Sequence, residues 1–315
     1  MVTIGVDLGG TNIVAGVVNE DYKILAKAKC KTQAQRTAEE IIADMARLCR
    51  EAVSEAGLTM ADVNSVGIGC PGTCNVQTGC VEYANNIDFT NVPLVAKMNE
   101  LLEVPVYIEN DANAAALGEV MAGAAKGAES CVCITLGTGV GGGVITDGKI
   151  LEGCNFAGAE LGHVVIQMHG EPCTCGRNGC WEAYASATAL VRQTKAAMQE
   201  DANSKMWQLV DGDIEKVSGR TAFDGMRAGD ATAKAVVDRY IEYVACGVID
   251  MINIFQPDIV CISGGISHEG ETLLAPLREH VVRERYSRYC EKQSELVAAT
   301  LGNDAGVIGA ACLGR

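Results

Sequence analysis

Three times along this chain an apolar run with strand patterning ends in a glycine turn. Val2–Asp7 runs into Leu8-Gly-Gly-Thr11, 130–136 into Gly137-Thr-Gly139, and 258–262 into Ser263-Gly-Gly265. Such a strand delivers its turn to the carboxyl edge of a sheet, and glycine lets backbone N–H groups approach an anion closely. The first two turns lead into further apolar runs, 13–19 and 144–146, so they read as strand–turn–strand. No Gly-Lys-Ser/Thr is present, which excludes a Walker loop. Gly137-Thr-Gly-Val-Gly-Gly142 satisfies the spacing G-x-G-x-x-G. A dinucleotide fingerprint must open a helix, however, and Val144–Glu152 reads as strand, turn and strand.

Between these strands the pattern turns helical. Ile41, Ile42, Met45, Leu48, Cys49, Ala52 and Val53 predict a helix over 36–56 that stops at Gly57. Strands are predicted at 23–30, at Val66–Cys70 before Pro71-Gly72, and at Val104–Glu109. Asn110-Asp111 then opens an alanine-rich helix over 111–122. Further helices are expected at 182–200, 231–255, 270–285 and 305–313. The alternation predicts an α/β protein with mixed sheets, and 315 residues predict about two domains. A formal charge of −15 leaves no basic surplus for nucleic acid, so a phosphorylated ligand would need backbone N–H groups, helix ends and bound cations. No run reaches the ~18 apolar residues of a membrane span. The opening residues carry strand pattern and no basic or apolar leader, so the cytoplasm is expected.

Of the 15 cysteines, most sit in apolar company, such as Cys131-Val-Cys133, and read as small buried hydrophobes. Cys173-Thr-Cys-Gly-Arg-Asn-Gly-Cys180 differs, because its neighbours are glycine, threonine, arginine and asparagine. With His163 ten residues upstream, Cys173, Cys175 and Cys180 supply three thiolates and an imidazole, a closed tetrahedral shell for a structural Zn²⁺. Gly176 and Gly179 permit the positive φ angles a tight loop requires. Glu160 and Glu182 thread the same segment, placing carboxylates beside the metal. A disulfide framework is not expected in a chain of this length without a secretory signal.

Taken together, Asp7-Leu-Gly-Gly-Thr-Asn12, Glu109-Asn-Asp-Ala-Asn113, Leu136-Gly-Thr-Gly-Val-Gly-Gly-Gly143, Gly158-Ala-Glu-Leu-Gly-His163, the cysteine loop through Glu182 and Ser263-Gly-Gly265 resemble the ROK family. The order and spacing match over essentially the whole chain, most closely those of its ATP-dependent glucokinases. The resemblance implies an actin/hexokinase-like ATPase fold, with two ribonuclease-H-like α/β domains around a cleft. The smaller domain would span 1–119 with the C-terminal helix, 301–315, folded back onto it, and the larger 120–300 with the zinc loop. It implies ATP and Mg²⁺ as cofactors, a sugar as substrate, no nucleic-acid or membrane partner, and a homo-oligomer, dimer or tetramer.

Residue by residue, the resemblance makes Asp111 the general base that takes the proton of a sugar 6-hydroxyl. A strand-to-helix junction suits this role, although the same residue could also cap the helix. Asp7 would help place Mg²⁺ through water. Gly9, Gly10, Thr11 and Asn12 would form one phosphate turn, Gly137, Thr138 and Gly139 the other, and Gly264 and Gly265 would contact the adenosine. Sugar contacts would come from Glu160, His163, Glu182, Asn110, Gly72, Thr73 and one of Asn85 or Asn86. Carboxylates suit a polyol because ionised acceptors make strong hydrogen bonds to hydroxyls. D-glucose is the expected substrate, with N-acetylmannosamine, N-acetylglucosamine, fructose and allose as rivals. A sugar-responsive repressor would need a DNA-binding domain ahead of residue 9, and a non-catalytic sugar-binding protein would not need Asp111 with both glycine turns.

Overall fold

A run buried along nearly its whole length forms β1 (Val2–Leu8), the middle strand of the first sheet. The structure is a computed structural model that describes residues 1–84 and 86–315. β2 (Asn12–Val18) and β3 (Ile24–Lys31) continue it as antiparallel neighbours. α1 (Ala38–Glu55) begins at a capping box, in which the Thr37 hydroxyl accepts from the Glu40 N–H and the Glu40 carboxylate from the Thr37 N–H at 3.0 Å. Its buried stripe is the one the periodicity predicts. β4 (Val63–Cys70) runs parallel to β1. A separate sheet of β5 (Thr73–Asn75), β6 (Cys80–Ala84) and β7 (Phe89–Val92) follows. Then come α2 (Leu94–Leu102), β8 (Val106–Asn110) and α3 (Asp111–Ala122), giving the first sheet the order β3-β2-β1-β4-β8. The three short strands and α2 carry too few alternations to be read from pattern alone.

The chain continues through β9 (Cys131–Leu136), β10 (Val140–Thr146) and β11 (Lys149–Ile150). Helices α4 (Glu182–Ala185), α5 (Ala187–Glu200), α6 (Met206–Leu209), α7 (Thr221–Arg227) and α8 (Ala231–Phe255) come next. β12 (Ile259–Ser263), α9 (Glu271–Glu284), β13 (Glu295–Ala298) and α10 (Ala305–Cys312) complete it. The second five-stranded sheet has the order β11-β10-β9-β12-β13. The helix expected over 182–200 is two helices: Ser186 is extended and its hydroxyl caps α5 by accepting from the Ala189 N–H at 3.0 Å. Glycines 141–143 lie inside β10, so the G-x-G-x-x-G match opens no helix.

The described residues fall into two compact units, Met1–Cys131 with Gly143–Ala159 and Ala299–Arg315, and Val132–Gly142 with Glu160–Ala298. The first unit thus takes in 120–131 and 143–159 beside residues 1–119. Buried Glu119 contributes to this: its carboxylate accepts from the N–H groups of Ala124 at 2.8 Å, Thr300 at 3.2 Å and Leu301 at 2.9 Å. α10 lies on β1, β4 and α3 of the same unit. Gly5 and Gly67 face it, and a Cβ at either would fall on the carbonyl of Val307 or Ala310. In the second unit the fully buried Trp181 packs against Gly247 of α8 and donates from its indole N–H to the Tyr243 carbonyl at 2.8 Å. The Tyr240 hydroxyl donates to the Ala185 carbonyl at 2.7 Å, so residues 180–185 are seated on α8. No helix among the described residues is long and apolar enough to cross a membrane.

Candidate active site

In the first unit β1 and β8 flank β4, with Asp7 opposite Gly69 and Asn110 opposite Cys70. Asn110 is the residue that caps α3. Its Oδ1 accepts from the N–H groups of Ala112 at 2.9 Å and Asn113 at 3.3 Å, while its Nδ2 donates to the Gly72 carbonyl at 3.1 Å. The capping role the sequence left open for Asp111 therefore belongs to its neighbour, and Asp111 is the first residue of the helix. Burial raises the Asp111 carboxyl, and the N–H groups of Ala112 and Asp111 itself pull it partly back. Asp7 is pushed up to about 6, first by burial and then by the Asp111 charge. Neither carboxylate has an ion-pair partner among the described residues.

The first glycine turn is tied back onto the sheet. The Gly9 N–H donates to the Asn12 carbonyl at 3.0 Å, and the carbonyls of Gly9 and Thr11 accept from the Thr32 hydroxyl and N–H. Asn12 opens β2. Asn86 sits against Gly10, whose added Cβ would lie 3.3 Å from the asparagine Cβ, whereas Asn85 lies outside the described residues. Gly72 has φ +89°, and Thr73 after it pairs with Tyr83 in β6.

In the second unit the turn at Gly137, Thr138 and Gly139 rests on the start of α5. The Gly137 carbonyl accepts from the Ala187 N–H at 2.8 Å and the Thr138 carbonyl from the Thr188 hydroxyl at 2.7 Å. Glu182 joins this turn to the cysteine loop. One oxygen accepts from the Val140 N–H at 3.0 Å, the other from the Thr174 hydroxyl at 3.3 Å, with the Cys173 thiol at 3.7 Å. The carboxylate expected to meet a sugar is thus engaged by the protein in this state. Glu160 is exposed and directly precedes the 3₁₀ turn Leu161–His163.

His163, Cys173, Cys175 and Cys180 bring their ligand atoms within 4.8 Å of one another. The Cys175 and Cys180 sulfurs are 3.6 Å apart, as are the Cys173 sulfur and His163 Nδ1. A tetrahedral Zn²⁺ with Zn–S of about 2.3 Å and Zn–N of about 2.0 Å would set these edges at about 3.8 and 3.5 Å. The donor set therefore fits the ion in chemistry, and these two edges are close to its spacing. Gly176 and Gly179 have φ of +87° and +83°, as a tight thiol loop requires. The Arg177 backbone N–H lowers the Cys175 thiol, while burial and the neighbouring thiols push Cys180 up.

Gly264, at φ +86°, follows β12, at whose end the Ser263 and Thr135 hydroxyls meet at 2.8 Å. Gly265 lines a polar cavity of about 490 Å³ with Arg220, Asp224, Arg227, His268 and Glu269. Arg227 is paired at 2.6 Å with both Asp224 and Glu269. Sequence reasoning missed the residues from α7, because nothing but the Gly-Gly after a strand marks this site and α7 lies far upstream in the chain.

The family model for the ROK family matches residues 3–315. The chain belongs to the ROK family. Among ROK relatives, the glucokinase of Thermotoga maritima is 42% identical over 311 residues, covering 98% of this chain and 96% of that one. A ROK family glucokinase from Streptomyces griseus, solved in complex with glucose and AMPPNP, is 37% identical with a TM-score of 0.82 over 99% of each chain. The ROK hexokinase of Thermus thermophilus is 34% identical with a TM-score of 0.83, covering 99% of this chain and 97% of that one. The fold is the actin/hexokinase-like ATPase fold shared by these ROK kinases.

Proposed function

We propose that this chain is an ATP-dependent glucokinase that transfers the γ-phosphoryl group of ATP to the 6-hydroxyl of D-glucose, with Asp111 as general base. The substrate reading rests on end-to-end similarity to glucokinases at 37–42% identity. The assignment of the base rests on one observation above all: Asn110 caps α3, which relieves Asp111 of that duty. The Asp111 carboxylate takes the hydroxyl proton as the sugar oxygen attacks phosphorus, and ADP leaves. Burial raises the proton affinity of this carboxyl towards the working pH, as a general base requires.

Asp7, beside it, would help hold Mg²⁺, which would supply charge neutralisation for the transferring phosphoryl group. The turns at Gly9–Asn12 and Gly137–Gly139 offer backbone N–H groups to phosphate oxygens. Gly264 and Gly265, with the cavity at Arg220 and Arg227, suit the adenosine end. In the second unit Glu160, His163 and Glu182 supply acceptors and a donor for sugar hydroxyls. His163, Cys173, Cys175 and Cys180 would hold a structural Zn²⁺ that keeps that loop in shape.

The test is Asp111→Asn. Asparagine keeps the shape but cannot take the proton, so turnover with glucose should fall by ~10²–10⁴ while glucose affinity by calorimetry stays within about tenfold. Turnover within a few-fold of the unaltered protein would remove Asp111 from the role.

A further inference from the structure

Glu109 is the last charged residue of β8 before the catalytic junction, and it is only 4% exposed. A buried carboxylate persists only where donors satisfy it. Two do so here, and both end on the same oxygen. Oε1 accepts from the Asn110 N–H at 2.7 Å and from Asn113 Nδ2 at 3.0 Å. Asn113 is also 4% exposed, and its own N–H goes to Asn110 Oδ1 at 3.3 Å. Asn110 in turn reaches the Gly72 carbonyl through Nδ2. The bonds among Glu109, Asn110 and Asn113 close a ring at the start of α3, and Asp111 and Ala112 are the two residues between its ends. Neither bond of Glu109 is made to a cation, so the side chain serves here as an acceptor and not as half of an ion pair.

The peptide between Glu109 and Asn110 lies one residue before Asp111. Its N–H is held by Glu109 and the far side of the turn by Asn113. We infer that Glu109 is a positioning residue for phosphoryl transfer, fixing the aim of Asp111 through the Asn110 N–H and the Asn113 amide. This rests on the reading of Asp111 as the base. A few tenths of an ångström of misplacement at a proton acceptor lowers turnover without removing the groups that hold the sugar.

The experiment is a double-mutant cycle on the full-length, zinc-loaded protein, read as kcat for glucose phosphorylation and as glucose Kd by calorimetry. Glu109→Gln keeps a carbonyl oxygen that can accept both bonds, so kcat should stay within a few-fold. Glu109→Ala removes the acceptor, and kcat should fall by about 10–100-fold with glucose Kd within about fivefold. In an Asp111→Asn background the same alanine change should alter the residual kcat by less than about twofold, since a residue acting through Asp111 has nothing left to position. Equal losses in both backgrounds, or a glutamine variant as impaired as the alanine one, would overturn the inference. Should Glu109→Ala not fold, Glu109→Asp replaces it, because the shorter side chain withdraws the acceptor by one methylene. If Asp111→Asn alone retains near-full turnover, the base assignment fails, an outcome distinct from an unaltered kcat in Glu109→Ala beside an inactive Asp111→Asn.

Discussion

Replacing Asp7 with asparagine should make the ligand-free protein more stable and less active, and the stability gain should vanish in acid. The Asp7 carboxyl is pushed up to about 6 by burial and by Asp111. Against an ordinary value near 3.9, that displacement corresponds to about 3 kcal/mol held against the folded state at neutral pH. The sign follows from proton binding. The folded value lies above the unfolded one, so between about pH 4 and 6 the folded chain keeps a proton that the unfolded chain releases. The contribution of Asp7 to stability therefore falls as pH rises through that window and is flat above it. Asparagine needs no ionisation, but its amide must still be accommodated, so a gain of about 2 kcal/mol at pH 8 and under about 0.5 kcal/mol at pH 4.5 is expected. The assay is urea unfolding in magnesium-free buffer, read by hydrogen exchange in peptides covering β1 and β4, so that the first unit is followed by itself. A gain of equal size at both pH values, or none at pH 8, would refute the reasoning. Phosphoryl transfer should be lost in the same variant, as where a site trades stability for function.

Elemental analysis should find one Zn²⁺ per chain. Chelation should abolish turnover and Co²⁺, another ion that accepts tetrahedral ligation, should restore it; a fully active preparation lacking such a metal would exclude the site. For selectivity, kcat/KM should favour glucose over N-acetylglucosamine and N-acetylmannosamine by at least about tenfold, because an acetamido group among Glu160, His163 and Glu182 leaves a buried amide unpaired at about 1–3 kcal/mol. An acetamido sugar that equals glucose in this ratio would show that the site accommodates the larger group.

The parts of the site that were legible in the sequence are those whose chemistry is local. Cys173, Cys175 and Cys180 sit within one turn-rich loop, so their spacing alone implied convergence on His163. The strand-to-helix junction at Asp111 was legible because a strand, an asparagine–aspartate pair and an alanine-rich run follow one another without a gap, whereas its reading as a base came from the family resemblance. What could not be read depends on partners remote in the chain or on which of two neighbours wins a bond. Asn110 and Asp111 are both good caps by composition, and only the hydrogen bond to Gly72 from the preceding loop shows why Asn110 takes the position. The carboxylate of Glu182 is shared between Val140 and Thr174, groups from separate segments. The break at Ser186 has no proline or glycine to announce it, and depends on a hydroxyl cap that a serine within any helix could have declined. Strands β5, β6 and β7 were hidden by their brevity.

The seat of α10 on glycine sets an order of events in synthesis. The furrow at Gly5 and Gly67 is made before residue 70, yet the helix that fills it comes from residues 305–312. At about 5–20 residues per second, a ribosome needs roughly twelve to forty-seven seconds to pass from residue 70 to that helix. For most of this interval the second unit is still being made, its last strand β13 ending only at Ala298, while the first, the one carrying Asp7 and Asp111, waits with the furrow uncovered. The nascent first unit is therefore the stretch on which a chaperone would act, and slow codons late in the message would lengthen its exposure without altering a residue.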